Sequence, residues 1–91
     1  MGDDSGVMSR SITFVTRQGC TLCEEYLPGI QSWVERLGLG MSIADVDESP
    51  DLLAEFDHRV PVVLSQEGEV LLEGRWGGLR EARMMLRARY G

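Results

Sequence analysis

Gly19-Cys20-Thr21-Leu22-Cys23-Glu24-Glu25 decides how this chain is read. It holds the only two cysteines of 91 residues, as one C-x-x-C. An apolar, β-like run, Ile12-Thr13-Phe14-Val15, comes before it, and a segment of helical periodicity comes after it. A strand running into C-x-x-C at the start of a helix is the sequence form of a thiol–disulfide redox site. Such a site needs an exposed, stabilised attacking thiolate and a second thiol within reach to resolve the mixed disulfide. Cys20, at the helix start, faces unpaired N–H groups and the positive end of the helix dipole. Such settings lower a thiol pKa from ~8.5 into the range of about 3.5–7.5. Cys20 is therefore read as the nucleophile and Cys23, one turn in, as the resolving thiol. Arg17, three residues before Cys20, is positioned to place a fixed positive charge beside the thiolate. Glu24 and Glu25 oppose it, weakly if solvated.

Working outward, Ser11 to Thr16 reads as a strand with both faces apolar, as in a sheet covered by helices on both sides. A helix is expected from Thr21 to Leu37, its inner face carrying Leu27, Ile30, Val34 and Leu37, widened by Trp33. Pro28 should kink it, and Gly38 and Gly40 should end it. Met41 to Val46 is expected as a second strand. Ser49 as N-cap and Pro50 at the first helical position open a short helix to Phe56, with Leu52, Leu53 and Phe56 inward. Asp57-His58-Arg59 is a polar loop, and His58 reads as solvated. Val60 to Leu64 is a central strand with Pro61 at its start. Gln66-Glu67-Gly68 is a hairpin turn, so Glu69 to Glu73 returns antiparallel. After the glycine-rich stretch 74–78, a last helix runs from Gly78 to Tyr90, with Leu79, Ala82 and Leu86 inward. Arg80, Arg83 and Arg87 read as its solvated side. Trp76 is equally suited to stacking on a bound peptide or packing on that helix.

The order β-α-β-α-β-β-α, with a right-handed crossover in its first half, fits one four-stranded mixed sheet flanked by three helices. That is an α/β arrangement of the thioredoxin-fold type. Residues 10–91 form the domain, and residues 1–9, acidic and glycine-rich, are expected to be a disordered leader.

Composition excludes several classes. The chain is 43% hydrophobic and 26% charged, with net charge −6. Nucleic acid is a poor partner for such a charge. No run approaches the ~18 apolar residues of a membrane span, and no signal-peptide pattern opens the chain. A cytoplasmic monomer is expected. Two cysteines are too few for a disulfide-stapled secreted fold. A metal reading of the C-x-x-C, as a zinc or iron–sulfur site, would have only His58 as a further ligand of the usual kind and would need a second chain.

Phe14-Val15-Thr16-Arg17-Gln18-Gly19-Cys20-Thr21-Leu22-Cys23 resembles the first strand and active-site loop of glutaredoxins. Arg59-Val60-Pro61 is similar to their Thr-Val-Pro element, and Trp76-Gly77-Gly78 to their later Gly-Gly turn. The match is closest to small bacterial glutaredoxin-like proteins with C-x-L-C-[DE] and Val-Pro-Val motifs. The resemblance implies a dithiol oxidoreductase acting on protein disulfides or glutathione mixed disulfides. It carries no bound cofactor, with glutathione as reductant or co-substrate. It also implies a substrate-binding set of Arg17, Thr21, Leu22, Val60, Pro61, Gly77 and Gly78, and a cis bond before Pro61 that turns the Val60 backbone toward Cys20 to receive an extended substrate. Two departures stand out. Leu79-Arg80 occupies the place where glutaredoxins carry the acidic residue for the glutathione ammonium, leaving Glu81 as the nearest substitute. The Glu24-Glu25 pair disfavours the glutathione carboxylate. Two other functions fit the same residues: a thioredoxin-fold binding or redox-sensing module without turnover, and the metal module.

Overall fold

The computed structural model describes residues 10–90; the expected leader lies outside them. Along the chain run β1 (Ser11–Thr16), α1 (Thr21–Leu37), β2 (Gly40–Asp45), a single 3-10 turn (Val46–Glu48), α2 (Pro50–Phe56), β3 (Val62–Ser65), β4 (Val70–Glu73) and α3 (Gly78–Tyr90). The sheet order is β2-β1-β3-β4. β1 pairs parallel with β2, Ser11 opposite Gly40 through Thr16 opposite Asp45. β3 runs antiparallel to both β1 and β4. This is the mixed sheet and element order expected of a thioredoxin fold.

The two central strands explain why the apolar runs lack clean alternation. β1 sends Ile12 and Phe14 to one face and Val15 to the other, and β3 divides Val63 from Val62 in the same way. All five are essentially inaccessible to solvent. The larger core lies under α1 and α3 and includes Cys23, Ile30, Leu39, Leu71, Leu72, Trp76, Met85 and Ala88. The smaller joins Val15, Val46, Phe56 and Val62 under α2.

Local chemistry sets the element boundaries. α1 continues unbroken through Pro28, which is exposed, so the Glu24 carbonyl that loses its helical donor lies on the wet side. Gly38 ends the helix with φ 68°, and its N–H and that of Leu39 both reach the Val34 carbonyl. Arg89 Nε adds a bond to the Leu37 carbonyl at 2.9 Å. β2 begins and ends one residue earlier than expected, because Val46 already belongs to the 3-10 turn, held by the Asp45 carboxylate accepting the Asp47 N–H. Ser49 caps α2 as expected, its Oγ accepting the Leu52 N–H at 3.3 Å. β3 starts at Val62 rather than Val60. Pro61 offers no donor to the ladder, and the Val60-Pro61 bond is cis, as the resemblance implied. β4 starts one residue late, at Val70.

Two expected inner faces are corrected. Leu53 lies on the solvent side of α2, while Leu52 and Phe56 pack inward. On α3, Leu79 is 75% exposed and Leu86 42% exposed, whereas Met85 and Ala88 are buried and Ala82 is half-buried. The inner face of α3 is rotated to the side that also carries Glu81 and Arg89, whose polar heads are hydrogen-bonded to α1. Among the described residues, no helix is long and apolar enough to cross a membrane.

Candidate functional site

β1 ends at Thr16, and Arg17-Gln18-Gly19 turns the chain into α1. Gly19 takes φ 82°, a left-handed conformation that glycine adopts without a Cβ penalty. The Cys20 N–H closes the turn on the Arg17 carbonyl at 3.2 Å. Cys20 then takes the N-cap position of α1 with extended dihedrals. Its sulfur accepts the Cys23 backbone N–H at 3.1 Å. Cys20 and Cys23 are joined as a disulfide, their Cα atoms 5.3 Å apart. The Cys20 sulfur in this bond marks the position of the thiolate in the reduced protein. There it faces the open N–H groups of the first helical turn, so the helix end favours its anionic form. Cys20 is half-buried, and Cys23 is 2% exposed within the larger core. A half-buried cysteine at the cap and a covered one a turn later can divide attack from resolution.

Arg17 does not stand free beside the thiol. Its Nε and one terminal nitrogen bind the Asp47 carboxylate at 3.0 and 2.7 Å. That nitrogen also lies 2.7 Å from the Asp57 carboxylate, and the other donates to the Asp57 carbonyl at 3.0 Å. Bonding to Asp47 and then Asp57 raises the guanidinium pKa further, and the same contact holds the Asp47 carboxyl below the usual carboxylate range. Arg17 thus ties the loop before Cys20 to the turn after β2 and to the end of α2. His58, whose side chain is 93% exposed, as expected for a solvated loop residue, only borders Asp57 at 3.4 Å.

The remaining expected residues lie in the first turn of α1, at the entry to β3 and at the start of α3. Thr21 is exposed and Leu22 half-buried in the first turn of α1. Val60 packs, like Cys20, against the larger core, and Pro61 is buried. Among the described residues, neither the N–H nor the C=O of Val60 has a backbone partner. The Gly74 N–H bonds the carbonyls of Arg59 and Pro61, which joins this segment to the β4–α3 connection. Gly77 and Gly78 are exposed at the start of α3, and a Cβ at either would meet nothing within 4 Å. Their openness leaves the backbone there uncovered.

A second arrangement escaped sequence reasoning. The Tyr26 ring stacks on Trp76 with centroids 4.2 Å apart. Its hydroxyl donates to the Trp76 carbonyl at 2.9 Å and accepts the Trp76 N–H at 3.1 Å. Both indole N–H groups of the chain, from Trp33 and Trp76, donate to the two oxygens of Glu81, at 3.1 and 3.0 Å. Trp76 is therefore a buried packing residue, and Glu81 is committed to α1 and to the Gly77-Gly78 approach. The partners are 48 and 50 residues apart for Trp33–Glu81 and Tyr26–Trp76, and no local pattern announces them. Among the described residues, no group of three or more His, Cys, Asp or Glu side chains gathers to hold a metal ion.

No curated protein is a detectable relative of the chain. The solution structure of protein Ne2328 from Nitrosomonas europaea superposes with a TM-score of 0.69 at 21% identity, covering 82% of this chain and 89% of that one. Thioredoxin 1 from Thermosipho africanus TCF52B gives 0.63 at 21% identity, covering 85% and 90%. At such identities the likeness establishes the thioredoxin fold. The profile of the glutaredoxin-like domain (DUF836) matches residues 11–85, from the first residue of β1 to the buried Met85 of α3. With its Cys20–Cys23 pair capping the first helix of a thioredoxin fold, the chain belongs to the glutaredoxin-like domain (DUF836) family.

Proposed function

We propose that the protein is a thiol–disulfide oxidoreductase that reduces protein disulfides or glutathione mixed disulfides. The observation that carries this reading is the division of the pair: Cys20 half-buried at the α1 N-cap, with its sulfur accepting the Cys23 N–H, and Cys23 covered. The Cys20 thiolate attacks one sulfur of the substrate disulfide. The substrate S–S bond breaks, a mixed disulfide forms, and the first product leaves as a thiolate. The Cys23 thiolate then attacks the Cys20 sulfur and releases the second thiolate. The substrate gains two electrons and the enzyme pair becomes the disulfide of this structure. Glutathione or a reductase, itself oxidised, returns the pair to the dithiol.

The Val60 backbone, which has no backbone partner among the described residues, supports docking of an extended substrate segment at Cys20, with Thr21, Leu22, Pro61, Gly77 and Gly78 as the further binding residues. Arg17 serves this site by positioning the loop before Cys20. We place the activity in a monomer in the cytoplasm, where a reducing pool keeps such a pair cycling. The test is reduction of hydroxyethyl disulfide or insulin by the reduced protein. Cys20→Ser should abolish turnover, and Cys23→Ser should trap the mixed disulfide. Turnover that survives Cys20→Ser refutes the assignment.

A further inference from the structure

The thiol–disulfide exchange proposed above is the footing for a narrower statement about substrate charge. We infer that Asp47 and Asp57 are specificity determinants of the dithiol site: by engaging Arg17 they make it favour disulfides with cationic or neutral flanks over anionic ones.

Arg17 is the only cation between Thr16 and Glu25, and its carbonyl is bonded to the Cys20 N–H. Left alone, its guanidinium would attract an anionic substrate and steady the Cys20 thiolate. Instead it is held by Asp47 from the 3-10 turn and Asp57 from the end of α2. Two carboxylates against one guanidinium leave the trio with a net negative charge. Exposed Glu24 and Glu25, in the first turn of α1, add to it. Arg59, the cation before Val60, is turned away onto Glu73, and Arg80 adds to the same pull on that carboxylate. An anionic disulfide approaching Cys20 therefore meets like charge as it gathers the further negative charge of exchange, whereas a cationic one is drawn in. Arg17 and Asp57 are half-buried and Asp47 is exposed, so all three reach solvent and the preference must weaken with salt.

The experiment uses the full chain, reduced with dithiothreitol and desalted. Second-order rate constants are measured with cystamine (a dication), hydroxyethyl disulfide (neutral) and 3,3′-dithiodipropionate (a dianion). Each is divided by the rate of the same disulfide with free dithiothreitol. Cystamine should react fastest and dithiodipropionate slowest at low salt, and the spread should shrink at high salt. Asp47→Asn and Asp57→Asn should each narrow the cystamine-to-dithiodipropionate ratio about four- to sixfold at low salt, the scale of a unit charge acting with opposite sign on the near cationic or anionic end over roughly 8–10 Å of water. A misfolded fraction keeps free thiols that react without this preference, so each variant is first matched to the wild-type chain by its thermal melt. Equal normalised rates for the wild-type chain, or a ratio unmoved in both variants, overturns the inference while the exchange reaction stands. No reaction with hydroxyethyl disulfide overturns the exchange reading itself, and the inference with it.

Discussion

Replacing Glu81 by leucine removes the one acceptor that both tryptophans use. Trp76 is 7% exposed, so its indole N–H would be left without protein or water. A buried donor so orphaned costs about 1–3 kcal/mol. Trp33 is only half-buried and can turn its N–H to water, which limits that loss to roughly 0.5–1 kcal/mol. The sum for Glu81→Leu is about 2–4 kcal/mol, a large share of the ~5–15 kcal/mol that holds a domain folded. Glu81→Gln keeps one acceptor oxygen and should cost about half as much. The assay is urea unfolding followed by tryptophan emission, with the cysteine pair kept in one redox state. At a slope of roughly 1 kcal/mol per molar for a small domain, the leucine variant should unfold at a midpoint lower by ~2–4 M, and the glutamine variant by ~1–2 M. A leucine variant within about 0.5 M of wild type would show that water serves both indoles, and the reasoning would fail.

Met85→Ala should cost about 2–5 kcal/mol, because a fully buried side chain leaves a cavity, whereas Leu79→Ala should stay within ~0.5 kcal/mol; thermal melts of the two variants test the face assigned to α3. The Asp47 carboxyl is held below its ordinary value of 3.8 by its bonds to Arg17. A depressed folded pKa contributes stability above the unfolded value and loses it as pH falls through the folded one. Wild-type stability should therefore drop more steeply than that of Asp47→Asn as pH is lowered from 5 to 2 in acid-titrated urea melts, and parallel curves would refute the linkage.

The fold was legible where a signal lies within a few residues. The Ser49-Pro50 cap, Gly38 and the Gln66-Glu67-Gly68 turn each specify a local conformation, and the start of α2, the end of α1 and the β3–β4 reversal follow from them. The inner face of α3 was not legible from hydrophobicity. Two apolar stripes run along that helix, and the buried one contains Glu81 and Arg89. Both are charged, yet they lie inward because Trp33, Trp76 and the Leu37 carbonyl satisfy them. Leu79 stays out because the first turn of α3 faces α1 with Glu81. At the site, the cysteine pair, the helix cap and the Val60-Pro61 segment were readable as motifs. The state of Arg17 was not. Its partners lie 30 and 40 residues away, and only the folded chain brings the 3-10 turn and the end of α2 to it. The loop that looked electropositive in sequence is outweighed in charge by its tertiary neighbours, two carboxylates on one guanidinium.

The two tryptophans carry one more consequence. They are the only indoles of the chain, and both hydrogen-bond one carboxylate while packing with the core that contains Cys23. All tryptophan light from this molecule therefore originates in a single cluster shared with the resolving sulfur. Reduction of the Cys20–Cys23 disulfide should therefore register in native emission, with no dye attached and no cysteine consumed in labelling.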